Sequence, residues 1–255
     1  MKSRPYILKE VQYKTVKKTD YNVAVLPWGA TEAHNYHLPY GTDVIETEYI
    51  AAEAARLAWE QGARVMVLPA VPFGVNTGQL DIPFDINMNP STQAAVLYDV
   101  MVSLANQGIP KLMILNGHGG NDFKQMIREL QPRMPEMFLS TVSWFKILDM
   151  ADYFSDTGEH AGEAETSILL RIVPELVLPL SDAGDGNAKA FRFKGMQEGW
   201  AWAQREWSYV TKDTGVGNPA QADADKGDRY LTDTIARIAD YLVELDACKF
   251  DDWYE

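Results

Sequence analysis

Residues 29–43 read GATEAHNYHLPYGTD and carry Glu32, His34, His37 and Asp43, side chains that hold metals and move protons. Two further stretches are of the same kind: NGHGGN (116–121) with His118, and EHAGEAETS (159–167) with His160 and Glu165. All four histidines of the chain fall in these three stretches and none in the ordinary helical segments. Glu32, Asp43 and Glu165 bring three negative charges, with His34 and His118 as neutral imidazoles beside them. Two divalent cations and one bridging hydroxide bring that set to zero, whereas a single cation leaves it anionic. A two-metal site is therefore expected, with Asp43 as the shared carboxylate and the ions ~3.5–4 Å apart. The mixed imidazole and carboxylate donors suit Zn, Mn or Fe.

Each residue taken alone has a plainer reading. Asp43 could be only a helix N-cap, NGHGGN only a glycine turn, and His160 a capping or core histidine. His37 reads as structural, lying just past the cluster. Convergence favours the metal site, provided the chain brings the three stretches together. In EHAGEAETSILLRI, helical geometry of about 100° per residue puts Glu165 on one face with Ile168, Leu169 and Ile172. Glu163 then points nearly the opposite way, with Thr166 and Leu170. A carboxylate on a core-facing stripe needs a partner, and a metal supplies one.

The elements that must position these residues are legible as alternating patterns. NVAVLP (22–27), RVMVLP (64–69) and KLMILN (111–116) are short unbroken apolar runs, expected of strands covered on both faces, and EMFLSTV (136–142) reads as a fourth. Helical spacing fills 43–62 and 89–108, the second opening with Asn89 as N-cap and Pro90 at the first helical position. Another helix is expected after NGHGGN and a last one over 226–247. This order predicts a three-layer α/β/α sandwich with a mainly parallel central sheet. Ligands bind beyond the carboxyl ends of such strands. Glu32, His34 and Asp43 follow the first strand, Asn76 the second and His118 the third, so all reach one edge.

The chain reads as a single domain over 1–255, with a loop-rich, tryptophan-rich extension around 175–225 that would cover a site or contact another subunit. A formal net charge of −13 argues against nucleic acid as a partner. No apolar run reaches the ~18 residues that span a bilayer, so no membrane partner is expected. MKSRPYILKE does not read as a secretory leader, and a cytoplasmic location is the expectation. One cysteine, Cys248, permits no internal disulfide.

The stretches LPWGATEAHNYHLPYGTD, LPAVPFGVN, ILNGHGGN and EHAGEAETS together resemble the creatininase (creatinine amidohydrolase) family, in that family's order. The resemblance implies a dinuclear metal centre, hydrolysis of a C–N amide-type bond in a small molecule, and a homo-oligomer, commonly hexameric. It implies Glu32, His34, Asp43 and His118 as metal ligands, with Glu165 as the acidic residue of the HAG motif completing the second metal. It further implies His160 as the residue that handles protons near the substrate, and Asn76 as a substrate contact. The amides of Gly119 and Gly120, read as lying at a helix N-terminus, would assist an oxyanion. Creatinine-cleaving members carry an aromatic and an acidic residue where Gly119 and Gly120 stand, and tryptophans where the chain has FSDTGEH. A substrate larger or more polar than creatinine is therefore expected. The rival readings are a metal-dependent lyase or isomerase and a non-catalytic metal-binding protein.

Overall fold

A computed structural model describes residues 3–249 and 252–254. Four strands form the central sheet: β1 (Val23–Trp28), β2 (Val65–Val67), β3 (Lys111–Asn116) and β4 (Phe138–Ser143). They are all parallel, in the order β2-β1-β3-β4, with Val23 level with both Val65 and Lys111. The expected strands are thus present. The second is shorter than its apolar run because Pro69 offers no N–H to extend the ladder.

The longer helices are α1 (Thr42–Glu60), α2 (Pro90–Asn106), α3 (Phe123–Leu130), α4 (Glu163–Ile172) and α5 (Ala224–Ala247). Side chains along a strand alternate between faces, and the two cores follow that alternation. Val23, Val25, Met113 and Leu115 pack with α1, α4 and α5 on one side. Ala24, Leu26, Trp28, Leu112 and Ile114 pack with α2 and α3 on the other. The fold is therefore an α/β/α sandwich, and every residue of β1 and β3 is buried.

Strand order fixes where a ligand can enter. The chain leaves β1 toward β2, then crosses back past β1 to β3, so β1 and β3 flank the point where winding direction reverses. Right-handed crossovers place α1 and α2 on opposite faces on either side of such a point, as observed. A crevice opens there beyond the carboxyl ends of the strands.

Helix starts agree with the sequence in part. Asn89 is the N-cap of α2 with Pro90 inside it, but its side chain instead accepts from Asn87 Nδ2 at 2.8 Å. Gly41, not Asp43, is the N-cap of α1, so Asp43 lies in the first turn with its carboxylate free for other work. Gly29 and Gly117, just past β1 and β3, press against the backbone of Asp43 and Val44 and against the Thr47 hydroxyl. A Cβ at either position would collide. Their bareness lets both strand ends close onto the first turn of α1, which brings Asp43 between them.

The segment between α4 and α5 contains only short helical turns, among them Leu180–Asp182, Lys194–Gln197 and Trp207–Val210. It folds back over the crevice of its own chain. Trp207 N–H donates to Gly78 O at 2.9 Å, and His160 and Val216 exchange backbone hydrogen bonds of 3.0 and 2.8 Å. No described helix is long and apolar enough to cross a membrane.

Candidate metal centre

Glu32, His34, Asp43, His118, His160 and Glu165 converge at the carboxyl ends of β1 and β3. Their ligand atoms form three groups in which all lie within 4.8 Å of one another: Glu32–Asp43–His118, His34–Asp43–Glu165 and Glu32–His34–His160. Asp43 belongs to two of them. Its Oδ1 lies 2.9 Å from His34 Nε2 and its Oδ2 lies 3.0 Å from His118 Nδ1. Glu32 Oε1 stands 2.8 Å from His118 Nδ1 and 3.9 Å from His160 Nδ1. Glu165 Oε1 stands 4.0 Å from His34 Nε2.

Backbone carbonyls set the histidine tautomers. A carbonyl only accepts, so the ring nitrogen facing it carries the proton. His34 Nδ1 donates to the carbonyl of Glu32 at 3.0 Å, His118 Nε2 to Val75 O at 3.1 Å, and His160 Nε2 to Ala33 O at 2.9 Å. In each neutral ring the other nitrogen presents a lone pair toward carboxylate oxygen. Lone pair against lone pair repels unless a cation or a proton stands between. His34 Nε2 and Asp43 Oδ2 are buried without a hydrogen-bond partner among the described residues, as expected of atoms waiting for a cation. The donor set therefore fits divalent metal, and the three overlapping groups share Glu32, His34 and Asp43.

Electrostatics describe the same cluster without cations. Burial opposes a charge on His34, but Asp43, Glu165 and Glu32 outweigh it and push its pKa up to about 10. Burial likewise opposes charge on His118, and Glu32 and Asp43 raise it well above the ordinary range. For Glu32, burial pushes upward, but His118, His160 and His34 hold the carboxyl well below its usual value. Protons fill the cluster when metal does not, so metal uptake must release them.

The supporting contacts were not readable from the sequence. Gln79 Nε2 donates to Glu32 Oε2 at 2.5 Å, and Asp85 Oδ1 accepts from Ala33 N at 2.7 Å, each from a loop reached only through the fold. The amide of Ala161 donates to Glu165 Oε2 from a left-handed backbone with φ 51°. Glu46 sits one turn beyond Asp43, fully buried, with neither carboxyl oxygen bonded among the described residues. Burial, reinforced by Glu165 and Asp43, holds its carboxyl well above the usual range. Spacing alone, three residues after Asp43, was its one signal.

Two expectations need correction. Glu163 does not point to solvent: it is fully buried, ion-paired to Lys226 Nζ, and accepts from Ser155 and Asp156. Helix α4 is covered nearly all round, so the opposite-face argument fails for Glu163, although Glu165 does reach the site. Gly119 and Gly120 lie in a turn ahead of α3, not at its N-terminus; that end starts at Phe123 and is capped by the Asp122 carboxylate. A side chain at 120 would meet Val75 O and the His118 ring, so no carboxylate fits there without movement.

His37 Nε2 meets Thr166 Oγ1 at 2.9 Å, outside every metal-ligand group of the described residues, and burial lowers its pKa to about 4. Asn76 is buried at the cavity wall, donating from Nδ2 to Thr31 O (3.3 Å) and Ile86 O (3.4 Å), with Oδ1 free. The cavity has a volume of about 910 Å³, and Asn76, Gly119, Gly120, Trp144, His160 and Trp207 are among its walls.

The family model for creatininase, described as creatinine amidohydrolase, matches residues 8–242. The chain belongs to the creatininase family. It is an enzyme of that hydrolase family. A Bacteroides fragilis structure provisionally assigned as a creatinine amidohydrolase superposes with a TM-score of 0.92 at 44% identity, covering 98% of this chain and 99% of that one. A creatininase structure described with Mn superposes at TM-score 0.78 and 22% identity, covering 96% of this chain and all of that one, and shows the shared fold. Creatinine amidohydrolase of Pseudomonas putida is 25% identical over 61% of this chain and 66% of its own length. The mycofactocin precursor peptide peptidase of Mycolicibacterium smegmatis is 26% identical over 86% of this chain and 84% of its own.

Proposed function

We propose that the chain is a dinuclear metal-dependent amidohydrolase that cleaves a C–N amide-type bond in a small, polar substrate other than creatinine. The observation that carries this reading is Asp43, which offers one oxygen to each of two histidine–carboxylate groups. Glu32, Asp43 and His118 would hold one ion, and His34, Asp43 and Glu165 the other. When bound, the pair would supply Lewis-acid polarisation of a carbonyl and activation of water.

The protein's own groups do the rest. The substrate amide enters from the cavity, and Asn76 Oδ1, free and buried, accepts from its N–H. Neither the Gly119 nor the Gly120 amide is hydrogen-bonded among the described residues, so both can donate to a developing oxyanion from their turn. His160 presents Nδ1 as a lone pair because Nε2–H is held by Ala33 O. It therefore takes a proton from the attacking water and returns it to the leaving nitrogen, giving a carboxylic acid and an amine. A tilted ring contact with His34, centroids 4.1 Å apart, and edge contact with Trp207 at 4.9 Å keep the His160 ring in place. The acting unit is the whole chain, with the segment around 175–225 as its cover. Exposed Trp200 and Trp202 on that segment support assembly into a homo-oligomer.

Elemental analysis of purified protein, followed by chelation, refill with Zn, Mn or Fe, and a screen of cyclic amides, N-formyl compounds and short peptides, tests the reading. Two ions per chain, with amine and acid released only after refill, are expected. Fewer than two ions, or turnover indifferent to chelation, would overturn it.

A further inference from the structure

We propose that Lys146 anchors a carboxylate on the substrate, so that the enzyme acts on amides bearing a free acid group. This rests on the amidohydrolase reading and narrows its substrate class. Lys146 ends the turn Trp144–Lys146 that leaves the carboxyl end of β4 and lines the same cavity as the metal centre. The other charges around the cavity are committed. Arg205 is paired with Glu159 at 2.8 Å, Asp122 caps α3 through Lys124 N, and Glu32, Asp43 and Glu165 form the metal cluster. Lys146 alone of the lining cations has neither an ion pair nor a hydrogen bond among the described residues. Its Nζ rests 5.6 Å from the centre of the Phe145 ring. That contact keeps the ammonium against the wall without using its three N–H donors. Lys146 is exposed, free to reach a substrate in the cavity, whose lining includes the apolar Phe145, Met150 and Trp207. A cation and a hydrolytic centre lining one cavity suit a substrate that carries both a carboxylate and an amide.

The test uses the metal-loaded full chain and matched probes: N-formyl and N-acetyl amino acids, each beside its uncharged primary amide. Wild type is expected to favour the acid of each pair at least tenfold in kcat/KM. Lys146→Met should erase that preference, raising KM for the acids roughly tenfold or more, the size of one charge-assisted hydrogen bond, with the neutral probes unchanged. Lys146→Arg should restore part of it. Equal effects of Lys146→Met on acids and amides, or no preference in wild type, would overturn the proposal. If no probe is hydrolysed, calorimetric binding of the same pairs separates the two ideas. Acid binding that depends on Lys146 upholds the anchor while the amidohydrolase reading falls; absence of acid binding refutes the anchor.

Discussion

Replacing Asp43 with asparagine keeps the shape of the side chain and removes its charge and one acceptor oxygen. In the present geometry Oδ1 faces His34 and Oδ2 faces His118, at 2.9 and 3.0 Å. An amide there can offer oxygen to one side only and turns its N–H bonds toward the other imidazole, where a metal should sit. The ion facing the N–H bonds loses one of three protein donors, the other is left with a neutral amide oxygen in place of a carboxylate, and the centre loses one of three negative charges. Substituting a residue that merely orients a ligand costs ~10–100-fold in metal affinity. Losing a shared ligand should therefore cost at least ~100-fold at both positions, or about 3 kcal/mol each. Glu32→Gln and Glu165→Gln give the contrast, since each carboxylate serves one ion of the proposed pair. The assay is metal content after dialysis, together with calorimetric titration of the stripped protein. Asp43→Asn is expected to retain no tightly held ion, and the two glutamine variants one each. An Asp43→Asn protein that keeps two ions and full turnover, or Glu32→Gln losing both ions, would refute the shared-carboxylate geometry.

Further predictions concern protons. His34 has its pKa raised to about 10 in the metal-free fold, so its contribution to stability is complete below the unfolded value near 6.5 and is lost as pH rises toward 10. Thermal melts of stripped protein should fall by several degrees over that window, and metal-loaded protein should not follow; parallel curves would count against the cluster. Glu46 has a folded pKa above its unfolded value, so above that unfolded value its burial costs the fold stability. Glu46→Gln should therefore raise the melting temperature of stripped protein at pH 7, with the gain shrinking toward pH 4.5, and a loss of stability at pH 7 would show that the carboxylate is ionised and partnered. His160→Gln is expected to retain both ions and lose 10²–10⁴-fold in kcat; loss of an ion instead would make His160 a ligand.

Much of this centre is legible in the chain because it is local. The unbroken runs at 22–27 and 111–116 read as strands covered on both faces, and β1 (Val23–Trp28) and β3 (Lys111–Asn116) are buried throughout. The residues that follow such strands must gather at one edge, which, with their residue types and the family resemblance, is how Glu32, His34, Asp43 and His118 were read together. Glu165 was found by helical phase, and the same phase misplaced Glu163. Phase separates one face from another only when a helix has a wet side, and α4 is packed by α1 and α5 around most of its girth. The partner that makes Glu163 tolerable, Lys226, lies 63 residues away. Gln79, Asp85 and Lys146 belong to no motif: the first two sit in loops and Lys146 ends a short turn, and only the tertiary fold brings Gln79 and Lys146 to the cavity and Asp85 to the Ala33 amide. Gly119 and Gly120 were read onto a helix that in fact begins at Phe123, because a glycine pair before an apolar pattern does not say where the first helical turn closes.

The central claim is that two cations hold acidic and imidazole groups together around one aspartate. Anomalous diffraction from crystals loaded with manganese or zinc tests it most directly. The account predicts two peaks per chain, ~3.5–4 Å apart, astride the Asp43 carboxylate, with Glu32 and His118 on one and His34 and Glu165 on the other. A single peak, or none with these side chains turned away from one another, would contradict it.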